Sequence, residues 1–159
     1  MKEDERRQIG TIMSKKVITV NKNTDILKIA KTMSDKKISC IVVAERKKPI
    51  GIITERDMIR RIIAKNKKPD HLTANDVMTK PVLTVPPESD FIPTGELMKR
   101  KKIRRFVVTN DKGEIIGLVT QTDILHGIIK LVKHLDWQLV TMKISVEEYI
   151  EKLKESSIL

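Results

Sequence analysis

Met13 to Val20 reads M-S-K-K-V-I-T-V, and 65 residues later Met78 to Val85 reads M-T-K-P-V-L-T-V, with five of the eight positions identical. Met33 to Val43 (M-S-D-K-K-I-S-C-I-V-V) meets Met98 to Val108 (M-K-R-K-K-I-R-R-F-V-V) at the same offset, with six of eleven identical. Gly51 to Asp57 (G-I-I-T-E-R-D) then meets Gly117 to Asp123 (G-L-V-T-Q-T-D) at an offset of 66, so one residue has been added in the second turn. Three blocks in one order and nearly one register make the chain a tandem duplication. Any fold it adopts has two like halves, each too small to bury its apolar face alone.

Each copy has the same coarse layout. A short β-branched strand (Val17–Val20; Val82–Val85) leads through polar turn residues to an amphipathic helix. Thr24 is its expected N-cap, and Ile26, Leu27, Ile29, Ala30 and Met33 are its expected buried face. Strands at Cys40–Ala44 and Ile50–Thr54 follow, matched by Phe106–Thr109 and Ile115–Thr120, and a second helix opens near Glu55 or Gln121. Pro93 predicts that the first helix of the second copy starts late or bends. Gly95, where the first copy has Ala30, suits close packing on the sheet. The expected class is α/β, or α+β: two β-α-β-β-α motifs packed as a pseudo-twofold pair, with a C-terminal helical extension. The expected boundaries are a tail at 1–9, motifs at 10–64 and 74–125, a linker at 65–73 and the extension at 126–159.

Size and composition support this. A chain of 159 residues with 40% apolar and 33% charged residues builds a core without covalent staples. Its one cysteine, Cys40, excludes an intramolecular disulfide and a multi-cysteine zinc site. Acids stand where a signal peptide would be apolar, and apolar runs such as Ile41–Ala44 fall far short of the ~20 residues of a membrane helix. These features predict a cytoplasmic protein with no membrane partner.

The net charge is +11, and most of it lies in residues 10–64, with 13 basic residues against 5 acidic. Such a field attracts anions. The aromatics are only Phe91, Phe106, Trp137 and Tyr149, too few for a single-strand binder that stacks bases. The run Lys99-Arg100-Lys101-Lys102-Ile103-Arg104-Arg105 reads first as cations decorating a helix C-terminus. Its next reading is phosphate contact by one or two of its members, and its rival is a nucleic-acid patch. His71, His126 and His134 lack metal-site spacing and read as surface residues. Cys40 reads as a small core residue. No phosphate loop, dinucleotide fingerprint or nucleophile–base motif occurs, so no metal, catalytic cofactor or enzymatic reaction is expected.

T-x-x-D after a strand is a helix-start box on general grounds: Thr54 with Asp57, and Thr120 with Asp123.

The two G-apolar-apolar-T-x-x-D segments, the K-K-I-S-C-I-V-V and K-I-R-R-F-V-V strands and I-G-T-I-M-S-K-K-V-I-T-V together resemble a pair of cystathionine-β-synthase (CBS) domains over Gly10 to Leu125. The resemblance implies a compact regulatory module without catalysis, commonly dimeric. Two clefts between the halves would take adenosine-containing ligands: AMP, ADP, ATP, S-adenosylmethionine or a dinucleotide. It assigns the ribose diol to Asp57 and Asp123 and the ribose or α-phosphate to Thr54 and Thr120, with Gly51 and Gly117 allowing close backbone approach. The adenine edge would meet Val17, Ile18 and Thr19, or Val82, Leu83 and Thr84. The base would be walled at Ile38, Ser39 and Cys40, or at Ile103, Arg104 and Arg105. Arg56 and Arg60 would serve phosphate in the first copy. Thr122 replaces Arg56 in the second, and Arg104 and Arg105 would restore a cation there.

Leu125, Ile128, Val132, Leu135, Leu139 and Met142 form a heptad seam, and Ser145 to Glu148 resembles a capping box opening a last helix. The seam predicts a homodimer, with a target protein as its alternative. The functional expectation is an adenosine-ligand sensor. Its alternatives are a nucleic-acid-binding protein that uses the basic first half, and a ligand-free scaffold for a partner.

Overall fold

The computed structural model describes residues 6–134. The first half runs β1 (Thr19–Val20), α1 (Ile26–Asp35), β2 (Cys40–Glu45), β3 (Lys48–Thr54) and α2 (Glu55–Arg61). Two 3-10 turns and the short helix α3 (Ala74–Val77) lead to the second half. There follow β4 (Thr84–Val85), α4 (Phe91–Lys101), β5 (Arg105–Thr109), β6 (Ile115–Thr120) and a helix, α5, over 121–134. The sheets are ordered β1-β2-β3 and β4-β5-β6, each with a parallel first pair and an antiparallel second pair. Even the irregularity repeats: the register slips after Val43 in one sheet and after Val108 in the other. The architecture is the expected mixed α+β duplication. The second half of the heptad seam (Leu135, Leu139 and Met142), and the box at Ser145, lie outside the described residues.

Local chemistry explains where the helices begin. Asp25, not Thr24, caps α1, its carboxylate accepting from the Leu27 and Lys28 amides. Asp90 caps α4 in the same way. The expected late start or bend of α4 does not occur. α4 begins at Phe91, in register with Ile26, because Pro93 falls in the first turn, where no amide is owed to the helix. Ile26, Ile29 and Met33 form the buried face of α1, but Leu27 is 46% exposed and does not belong to it. Gly95 serves helix packing, since a Cβ there would touch Ile124 of α5 and not the sheet.

The halves do not each close on their own residues. The first core joins Ile26, Ile29, Ile41, Val43 and Ile53 to Ala74, Val77 and Met78, which open the second motif. The second joins Phe91, Met98, Phe106, Val108 and Val119 to Ile9, from before the first motif. Each lead-in adds a rung to the other half's sheet: Thr79 pairs with Ile52, and Ser14 with Leu118. The exchange buries apolar surface that neither repeat could cover alone.

Strand alternation then sorts the side chains. Ile41 and Val43 of β2, Ile53 of β3, Phe106 and Val108 of β5 and Val119 of β6 enter the cores. Cys40, Val42, Ile52, Thr54, Arg105, Val107, Leu118 and Thr120 take the opposite faces, where they line two clefts between the halves. No described helix is long and apolar enough to cross a membrane.

Candidate functional site

Each T-x-x-D segment closes a reciprocal box at a strand-to-helix junction. Asp57 Oδ2 accepts from the Thr54 amide at 2.9 Å and the Thr54 hydroxyl at 2.6 Å, and the Asp57 amide donates back to Thr54 Oγ1 at 3.2 Å. The Thr120–Asp123 distances are 2.8, 2.7 and 3.3 Å. In both boxes the threonine proton is committed to the carboxylate. Threonine therefore offers a ligand an acceptor and serves mainly to orient the aspartate.

The first cleft, about 250 Å³, is lined by Thr54, Arg56 and Asp57 from the first motif. Thr79, Pro81, Val82 and Leu83, and then Lys102, Ile103, Arg104 and Arg105, close it from the other side. The second cleft, about 260 Å³, sets Leu118 and Thr120 against Lys16, Val17 and Ile18, with Lys37, Ile38, Ser39 and Cys40 as its wall. Each cleft thus pairs the T-x-x-D strand of one motif with the lead-in and second-strand entry of the other. β1 and β4 pair over only two residues. Val17 and Val82 consequently run past the sheets with their main chain outside the paired register, where a flat base edge can meet peptide groups.

The structure redistributes several residues expected to act. Arg104 and Arg105 do not replace Arg56 in the second cleft, because the exchanged halves bring all three to the first. Only Arg105 also reaches the second, where it donates to Ser39 Oγ at 3.4 Å. Gly51 and Gly117 line neither cleft. A Cβ on Gly51 would lie 2.9 Å from Met78 Cγ, and one on Gly117 3.1 Å from Met13 Cγ, so each glycine seats a methionine of the exchanged lead-in. The neighbour they admit is therefore a side chain first, with the Ser14 carbonyl beside Gly117 as well. Thr19 lines a separate polar trough with Lys15, Lys47 and Glu114. Thr84 is exposed on β4 and lines neither cleft. Cys40, buried, walls the second cleft.

Sequence reasoning missed Lys37 and Lys102. They are equivalent in the repeat, both have left-handed backbone (φ 52° and 54°), and each lines one cleft. The repeated K-K-I was the available signal. It also missed Arg61, which bridges the first motif and the opening segment of the second. Arg61 Nη1 donates to the carbonyls of Val77 and Met78, both at 2.7 Å, and Nη2 to Thr79 Oγ1 at 2.9 Å. Nη2 also lies 3.4 Å from Asp57 Oδ1, which accepts the Thr79 hydroxyl at 3.1 Å. Among the described residues no group of three or more His, Cys, Asp or Glu side chains is placed to hold a metal ion.

Two exchanged halves around a pair of like clefts define a tandem-motif module. The CBS domain model of known protein families matches residues 9–64 and 74–130, and the chain belongs to that family. An uncharacterized protein of Methanopyrus kandleri is 38% identical over 118 residues, 74% of this chain and 60% of that protein. The chain thus spans less than two thirds of that relative. A solved CBS domain protein of Thermoplasma acidophilum superimposes with a TM-score of 0.70 at 29% identity, over 79% of this chain and 74% of that one. A CBS domain pair solved in complex with 5'-methylthioadenosine and S-adenosyl-L-methionine gives a TM-score of 0.68 at 28% identity, over 75% of this chain and 97% of that one.

Proposed function

We propose that this chain is a regulatory module that binds adenosine-containing ligands in the two clefts and carries out no chemical step of its own. The observation that carries the reading is the convergence in the first cleft of an oriented aspartate, Asp57, with the lead-in main chain and cationic side chains of the other motif, repeated in the second cleft with Thr120 on the lining and its partner Asp123 behind it. A ribose diol fits the aspartate, a base edge fits the main chain of Val17–Ile18 or Val82–Leu83, and phosphate fits Arg56, Lys102, Arg104 and Arg105. AMP, ADP, ATP and S-adenosylmethionine share the ribose and base that this chemistry recognises. The neighbour solved with two adenosine compounds supports the same class.

Binding changes the relation of the halves only by its differential affinity for two arrangements. Each cleft is built from both motifs, so a ligand there bears directly on that relation. We place the module in the reducing cytoplasm, in keeping with its lone cysteine. We further infer a homodimer. Ile59 and Ile63 of the first half are 56% and 71% exposed, and their repeat equivalents Leu125 and Ile129 are 54% and 43% exposed. Two related apolar pairs suit an isologous contact with a second copy.

The test is a thermal-shift panel of AMP, ADP, ATP and S-adenosylmethionine with wild type, Asp57→Ala and Asp123→Ala. At least one compound raises the melting temperature of wild type, and each substitution removes part of the rise. No response from wild type to any of the four contradicts the reading. A salt-steep affinity for RNA or DNA, insensitive to nucleotide, would favour the nucleic-acid alternative.

A further inference from the structure

The two aspartates are not equally available. An ionised carboxylate has about four lone-pair positions for donors. At Asp57, the Thr54 amide and hydroxyl occupy Oδ2, while the Thr79 hydroxyl donates to Oδ1 and Arg61 Nη2 forms an ion pair with it at 3.4 Å. At Asp123, the Thr120 amide and hydroxyl occupy Oδ2, and no described residue donates to Oδ1; the carboxylate stands behind the lining of the second cleft, 2.7 Å from the Thr120 hydroxyl that faces it. The repeat explains the difference. Gly127 stands where the first half has Arg61, and Ser14 where it has Thr79. Gly127 has no room for a long side chain, since a Cβ there would lie 3.0 Å from Ile12 Cγ2.

We propose that Arg61 and Thr79 form a latch on Asp57 that makes the first cleft the weaker of the two for a ribose diol, so that the clefts fill in order, the Asp123 cleft first. The inference rests on the reading above that both clefts take ribonucleosides. A diol entering the first cleft has to take Oδ1 from Thr79 and Arg61. The same two residues hold the crossing segment: Arg61 grips the carbonyls of Val77 and Met78, and the Thr79 backbone pairs with Ile52. Opening the latch therefore frees contacts on the segment that joins the halves. The second cleft has no corresponding contact among the described residues. Arg61 is a positioning residue: it acts on the ligand through Asp57 and does not itself line the cleft.

The test is calorimetric titration of the full chain with AMP and with 2'-deoxy-AMP, for wild type, Arg61→Ala, Thr79→Val and Arg61→Lys. Wild type binds AMP with a tight and a weak class of site. Arg61→Ala and Thr79→Val tighten the weak class about tenfold for AMP, leave it unchanged for 2'-deoxy-AMP, and leave the tight class alone. Arg61→Lys, which keeps a donor near Asp57, stays close to wild type. If wild type shows one class only, a second class emerging in Arg61→Ala or Thr79→Val supports the latch.

A guanidinium that merely attracts phosphate predicts the opposite: Arg61→Ala would weaken both nucleotides. That result, or no change in the weak class, overturns the proposal. If Arg61→Ala fails to fold, Thr79→Val decides, because it keeps the Arg61 bonds to Val77 and Met78. Absence of AMP binding in wild type and every variant overturns the ribonucleoside reading itself, a different failure from binding that ignores the latch.

Discussion

The two clefts share a backbone plan and differ in what their side chains have been given to do. The Thr54 cleft gathers Arg56, Lys102, Arg104 and Arg105, yet its aspartate is held by Arg61 and Thr79. The Thr120 cleft has Lys16, Lys37 and Arg105, and its aspartate keeps one oxygen without a described donor. Duplication supplied the frame and substitution divided the labour. The first lining is the richer in cations, and behind the second stands a carboxylate with an oxygen to which no described residue donates. What the difference teaches is that a motif retained in both copies does not make two equal sites. The residues that decide are those present in one copy only, Arg61 against Gly127 above all.

The comparison breaks most visibly at Asp123. Asp123→Ala removes an acceptor of two hydroxyls and lowers AMP affinity at the tighter class by about a hundredfold, whereas Asp57→Ala affects only the weaker class. Isothermal titration of both variants reads this directly, and equal losses would erase the distinction.

The seats beneath the clefts differ next. Gly117→Ala pushes a Cβ against both Met13 and the Ser14 carbonyl, while Gly51→Ala meets only the Met78 side chain. Gly117→Ala is expected to cost about 1–3 kcal/mol in urea unfolding and Gly51→Ala less, since methionine yields more readily than backbone.

Arg105 sharpens the contrast by being shared. Arg105→Ala weakens a phosphorylated ligand in both clefts, roughly tenfold, and Arg104→Ala only in the first. Titration with ATP separates the two.

The smallest effect concerns the lead-ins. α3 opens with a Thr73–Asp76 box, and the Thr73 hydroxyl, then its amide, hold the Asp76 carboxyl below the usual carboxylate range, with Lys67 adding a little. The equivalent position before the first motif is Thr11, with no such carboxylate. A depressed carboxyl stabilises the fold above its unfolded pKa, and that contribution is lost as pH falls below about 4. Asp76→Asn should therefore be slightly less stable at neutral pH and match wild type in acid, by melting temperature across pH 3 to 7 as set in the experiment. Because Asp76 is exposed, the difference is small.

Much of this was legible in the chain. The repeat fixes strand and helix order because hydrophobic period and turn chemistry are local signals, and the T-x-x-D boxes formed where they were expected. The caps fell one residue beyond Thr24 because an aspartate adjacent to it does the same job. The exchange of Ile9 and Val77 between cores is a long-range fact that no local window carries. That one omission misplaced Arg104 and Arg105, which the linear repeat assigns to their own copy and the fold delivers to the other. Arg61 escaped notice because its partners, Val77 to Thr79, lie at the start of the second motif and not in its own.

The most direct measurement is a crystal structure of the protein grown in excess AMP. The account predicts ribose hydroxyls on Asp123 Oδ1 with the base against Val17 and Ile18. A sugar bound elsewhere, or a Thr120 cleft closed by its own side chains with no nucleotide inside, would contradict it.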